Sequence, residues 1–133
     1  MTTIGAGQAK RMKILVIDDD ALIIKLLVAV LSGEGYEVIS SDNPVDGIER
    51  VARDKPDLVI LDHYMEPITG MDVLAQLRRD AGSLRTQILM LTAANTIKSV
   101  NMAFDLGATD YITKPVNLDK LRRKVDALLA ACR

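Results

Sequence analysis

Three stretches of the chain are nearly unbroken aliphatic runs: Lys13–Ile17 and Gln87–Leu91 past their first residues, and Leu58–Leu61 throughout. Runs this short, with turn residues such as Pro56-Asp57 beside them, predict strands buried on both faces. Two shorter and more mixed stretches, Glu37–Ser40 and Asp110–Thr113, predict strands at the edges of a sheet. Between the strands the apolar spacing becomes helical. Asp20 predicts an N-cap for a helix that starts near Ala21 and stops at Gly33-Glu34-Gly35. Asn43-Pro44 starts a second helix, carrying Val45, Ile48 and Val51 towards the core and ending before Pro56. A third runs from about Met71 to Arg79 with Val73, Leu74 and Leu77 on one side, and a weaker fourth from about Thr96 to Leu106. Asn117 caps the last helix, whose stripe is Leu118, Leu121, Val125, Leu128 and Leu129.

Five strands alternating with five helices predict a doubly wound α/β fold with a parallel sheet. Right-handed crossovers with the two mixed strands outermost give the order 2-1-3-4-5. The switch point then lies between strands 1 and 3, which are the strands that end in aspartates. Composition narrows the partners. Only 3% of residues are aromatic against 49% apolar, so the core is aliphatic. Seventeen basic and eighteen acidic residues give a net charge of -1, which argues against direct nucleic-acid binding. Cys132 is the only cysteine and His63 the only histidine, which excludes an internal disulfide, a zinc cluster and a multi-histidine metal site. Residues 1–12 read as a flexible tail and 13–133 as one domain. No signal peptide or membrane span is legible, so a cytoplasmic protein without a membrane partner is expected.

The strand ends carry the chemistry. Asp18 and Asp19 follow strand 1, Asp62 follows strand 3, Thr92 ends strand 4 and Lys114 follows strand 5. Carboxylates gathered in one crevice repel one another unless a cation joins them, and hard oxygen donors suit Mg²⁺. A carboxylate nucleophile, a hydroxyl and an ammonium around such a cation make a phosphoryl-transfer site. Taken singly, each residue has a plainer role as loop acid, helix cap or solvated charge. Their arrival at four separate strand ends favours the joint reading.

With those residues in hand, the chain resembles a receiver domain of the two-component response regulators, and is similar to the single-domain chemotaxis and sporulation members. The matching stretches are Val16-Ile17-Asp18-Asp19, Leu58-Val59-Ile60-Leu61-Asp62, Met90-Leu91-Thr92-Ala93 and Asp110-Tyr111-Ile112-Thr113-Lys114-Pro115. The resemblance implies the flavodoxin-like (βα)5 receiver fold. It implies that Asp62 accepts a phosphoryl group from a phosphohistidine on a histidine kinase or histidine phosphotransfer protein. Mg²⁺ would be held by Asp19, Asp62 and the backbone carbonyl of Tyr64, with Asp18 acting through water. Lys114 would pair with Asp62 and then with the phosphoryl oxygens. Thr92 and Tyr111 would be the switch residues, the hydroxyl moving to the phosphoryl group and the ring swinging inwards behind it. A cis Lys114-Pro115 bond is expected. Phosphorylation would alter the face formed by helix 4, strand 5 and helix 5, where a downstream protein binds.

The chain departs from the family pattern after Asp62. Glu66 stands where the loop proline is usual, with Pro67 one position later, and Thr69 replaces an acidic or amide residue before Gly70. Glu66 reads as a loop acid and His63 as an exposed surface residue. Tyr64 is bulky and Ala94 is small at the two positions flanking the acceptor, so Tyr64 is expected to shield the acyl phosphate from water. In helix 1, placing Ile23, Leu26, Leu27 and Val30 on the sheet leaves Ile24, Val28 and Leu31 towards solvent as a docking patch for a kinase or phosphotransfer bundle. The end of the sequence at Arg133 gives the expectation of a single-domain switch or relay, catalysing only its own phosphorylation and dephosphorylation. The rival is a Mg²⁺-dependent phosphatase with an aspartyl-phosphate intermediate. Asp18-Asp19-Asp20 fits its Asp-x-Asp spacing, but Leu22 stands where it would need Thr or Val.

Overall fold

The computed structural model describes residues 11–132. Its strands are β1 (Lys13–Ile17), β2 (Glu37–Ser41), β3 (Leu58–Leu61), β4 (Gln87–Thr92) and β5 (Asp110–Thr113). The helices are α1 (Ala21–Gly33), α2 (Pro44–Asp54), α3 (Gly70–Arg79), α4 (Ile97–Asp105) and α5 (Leu118–Ala130). All strand pairs are parallel, in the order β2-β1-β3-β4-β5. The pattern of aliphatic runs and helical stripes therefore gave the correct topology.

Alternation along the central strands divides the core in two. Leu15, Ile17, Val59, Leu61, Ile88 and Met90 face α2, α3 and α4. Ile14, Val16, Leu58, Ile60, Leu89 and Leu91 face α1 and α5. Each fully buried aliphatic side chain contributes about 1.5–3 kcal/mol, so these two layers hold the sheet as a rigid frame. The caps read from the sequence form as expected. Asp20, Asn43 and Asn117 each accept from backbone N–H groups in the first turn of their helix.

Three details differ from the sequence reading. Val45 is exposed rather than core-facing, because α2 buries the face carrying Pro44, Gly47 and Val51, spaced three and four residues apart, and Val45 lies off that face. A 3₁₀ turn, Ala81–Ser83, stands between α3 and β4, started by the Asp80 carboxylate accepting from the Gly82 N–H. Residues 1–10 of the expected tail lie outside the described residues. Met12 at its end packs partly against the core, and its carbonyl accepts from the Glu37 N–H at 2.9 Å.

The orientation of α1 is the largest correction. Leu31, placed towards solvent in the sequence reading, is wholly buried with Leu27. Ile24 packs partly against the same core and Val28 is half-buried, so Ile24, Val28 and Leu31 do not form an exposed patch. The exposed apolar residues are instead Leu22 at 78% and Leu26 at 38%. The helix is apolar nearly all round, with Lys25 its only charge. Periodicity therefore fixes its rotation weakly, and packing with Leu121, Val125 and Leu129 of α5 decides it.

Candidate functional site

Register delivers the acids. Ile17 pairs with Leu61, so Asp18 and Asp62 leave neighbouring strands side by side. The Asp62 N–H donates to the Ile17 carbonyl at 3.1 Å, and the Asp18 N–H to the Ser41 carbonyl at 3.2 Å. On the other side Thr92 pairs with Thr113, and the Lys114 N–H donates to the Thr92 carbonyl at 2.8 Å. The Lys114 side chain thus starts beside β4 and reaches across the carboxyl edge of the sheet.

Its ammonium lies 2.9 Å from Asp18 Oδ2 and 3.3 Å from Asp62 Oδ2. Both carboxylates are buried, at 2% and 4% exposure, while Asp19 is open to solvent. Carboxylate oxygens of Asp18, Asp19 and Asp62 all lie within 4.8 Å of one another. Burial raises the Asp18 pKa, overcoming the lowering by the Asp20 N–H and by Lys114. Burial pulls Lys114 down, but the hydrogen bond to Asp18 and the charges of both aspartates outweigh it and the net shift is upward.

Three carboxylates therefore face one ammonium, and the uncompensated negative charge sits where Asp19 opens to water. The donor set is wholly oxygen, as a hard divalent cation with retained waters requires. The residues fit Mg²⁺. The Tyr64 N–H donates to Asp62 Oδ1 at 3.3 Å, which brings the backbone of Tyr64 to the same place.

The two residues expected to switch, Thr92 and Tyr111, lie alongside. Thr92 is fully buried, and its Oγ1 accepts from the Ala94 N–H at 3.2 Å. The Tyr111 hydroxyl donates to the Ala94 carbonyl, and its ring packs against the core below α4. Tyr111 is thus already turned inwards in this state. Burial raises its pKa, with further contributions from Tyr64 and Asp62.

The β3–α3 loop closes the remaining side. Glu66-Pro67 and Lys114-Pro115 are both cis, the second as expected and the first without any signal in the sequence. Gly70 is required here. Its N–H donates to the His63 carbonyl at 2.8 Å, and a Cβ would come within 1.9 Å of the Asp62 carbonyl oxygen. Thr69 and Asp72 form a reciprocal capping box, which lowers the Asp72 pKa through the Thr69 N–H and hydroxyl. That box was legible as Thr-x-x-Asp, although Thr69 reads at first only as a departure from pattern. Glu66 is exposed. His63 is half-buried rather than exposed, and its Nδ1 is buried without a hydrogen-bond partner. Ser41, which fixes the Asp18 backbone, left no mark in the sequence.

Comparison with known proteins agrees with this geometry. The response regulator receiver domain family model matches residues 14–126. The chain is 39% identical over 118 residues to the response regulator MprA of Mycobacterium leprae, covering 89% of this chain and 51% of that protein. It is 37% identical over 117 residues to the alkaline phosphatase synthesis transcriptional regulatory protein PhoP of Bacillus subtilis, covering 88% and 48%. The chain therefore spans about half the length of the curated relatives it matches. Among solved structures, a two-component response regulator from Clostridium difficile superposes with a TM-score of 0.85 at 28% identity, covering 90% of this chain and 97% of that one. The Vibrio cholerae chemotaxis protein CheY4 gives a TM-score of 0.85 at 25% identity, covering 90% and 99%. With the acids, hydroxyl and lysine assembled on this sheet, the chain belongs to the receiver domains of the two-component response regulators.

Proposed function

We propose that Asp62 is the phosphoacceptor of a switch or relay module, taking its phosphoryl group from a phosphohistidine on a histidine kinase or histidine phosphotransfer protein. The observation that carries this reading is Lys114 held between Asp18 and Asp62, at 2.9 and 3.3 Å, beside an acidic cluster with charge to spare. Asp19, Asp62 and the Tyr64 carbonyl would hold Mg²⁺, with Asp18 acting through water, and the bound ion would supply charge neutralisation for the transferring group. Asp62 Oδ attacks phosphorus in line as the donor nitrogen leaves. Lys114 then exchanges its carboxylate contact for a phosphoryl oxygen, and the Thr92 hydroxyl turns from Ala94 to another. Releasing the Ala94 N–H loosens the loop that Tyr111 also holds, which transmits the event to α4.

The reaction is the module's own phosphorylation and dephosphorylation, in the cytoplasm, and its output is a changed α4–β5–α5 face offered to a protein target. The donor docks on α1 through Leu22 and Leu26, which are exposed apolar residues one turn apart at the end nearest the site. Acetyl phosphate with Mg²⁺ should label the chain stoichiometrically at Asp62, with an acid-stable, base-labile bond. Leu22→Glu should slow transfer from the protein donor while leaving acetyl phosphate labelling intact. Continuous turnover of phosphate esters would instead favour the phosphatase reading.

A further inference from the structure

Tyr64 is the one large aromatic residue at the mouth of the site. It is 56% exposed although the chain has only three tyrosines and one phenylalanine. Its N–H touches the acceptor carboxylate, and its side chain lines a cleft of about 370 Å³ with Asp19, Met65, Glu66 and Thr69. The ring also meets an imidazole already: the centroids of Tyr64 and His63 lie 4.9 Å apart at a 50° tilt.

We infer that Tyr64 determines donor specificity, its exposed ring serving as the surface on which the imidazole of a phosphohistidine stacks while its phosphoryl group passes to Asp62. The inference rests on the phosphoacceptor reading above. In the transfer, an O–P bond forms at Asp62 as the N–P bond breaks, and the bonding pair returns to the ring nitrogen. A ring that carries a proton on its other nitrogen leaves as neutral imidazole, with no further proton needed. Before transfer that protonated ring is cationic, and the face of a tyrosine attracts a cation as well as a flat partner. An acyl phosphate donor has no ring to place there. Tyr64 should therefore favour phosphoimidazole over acetyl phosphate, and bulk alone should not reproduce the effect.

The experiment measures initial rates of Asp62 labelling by phosphoimidazole and by acetyl phosphate, both with Mg²⁺, in the native chain, Tyr64→Phe, Tyr64→Leu and Tyr64→Asn. The quantity read is the ratio of the two rates. It should stay near the native value in Tyr64→Phe and fall about three- to tenfold in Tyr64→Leu and Tyr64→Asn. An equal ratio in all four chains overturns the inference, and so does a Tyr64→Leu ratio matching the native one, which would mean bulk rather than stacking. Failure of the native chain to take label from either donor would overturn the phosphoacceptor reading itself, and the inference with it.

Discussion

Two neighbouring helices on the same face of the sheet are seated very differently. Of the ten residues of α3, five are buried: Gly70, Met71, Val73, Leu74 and Leu77. Of the nine of α4, only Ala103 is, while Ile97, Met102 and Phe104 are among the exposed apolar side chains. The first turn of α3 is locked by the capping box and by the close approach of Gly70 to the Asp62 carbonyl. The N-terminal end of α4 hangs from the Ala94 loop, tied by Thr92 and Tyr111. One helix is fixed beside Asp62, and the other is loosely seated. Low local burial is what a responsive element needs, since its displacement then costs little of the total stability.

The other end of α4 is held more firmly. Arg78 donates through Nε to the Gly107 carbonyl at 2.9 Å and through Nη1 to the Ser83 and Leu84 carbonyls. Its stem lies against Gly107, whose φ of +109° suits glycine.

The contrast between the helices can be broken most strongly at the fixed one. Leu74→Ala should cost about 2–5 kcal/mol of stability, read by urea denaturation, because the two-layered core cannot close the cavity. Arg78→Ala should cost about 1–3 kcal/mol and raise amide hydrogen exchange through the C-terminal half of α4, leaving α3 protected. At the site itself, Asp18 reports the balance of burial and charge. Its folded pKa is raised, so the native state binds more protons than the unfolded chain between 3.8 and the higher folded value. Stability of the cation-free protein therefore falls as pH rises through that window and stays lower above it. Asp18→Asn should remove this fall, so the variant gains on the native chain as pH rises above 3.8, offset by loss of the Lys114 contact. Mg²⁺ should raise the melting temperature of the native chain by mass action and of the variant much less. The smallest effect belongs to the loose helix: Phe104→Ala should change stability by no more than about 0.5 kcal/mol.

The same contrast explains what was legible in the sequence. Wherever burial is two-sided, as in β1, β3 and β4, an aliphatic run has one reading, and strand order and the convergence of Asp18, Asp62, Thr92 and Lys114 followed from it. Caps at Asp20, Asn43 and Asn117 were legible because the chemistry that starts a helix is local. The rotation of α1 was not, since Leu22, Leu26, Leu27 and Leu31 are alike in kind and only contact with α5 sorts them. The closer pairing of Lys114 with Asp18 than with Asp62 also lay beyond the sequence, for it depends on tenths of an ångström in a crevice built from two strand ends. The half-burial of His63 follows from the path of the β3–α3 loop, which the shift from Glu66 to Pro67 left open.

The central claim concerns one oxygen. Intact-mass and peptide analysis after exposure to acetyl phosphate and Mg²⁺ should show a single phosphoryl group on Asp62, lost on chelation of the metal and in Asp62→Asn. A chain that gains no mass, or an Asp62→Asn variant that gains it as readily as the native protein, would contradict the account.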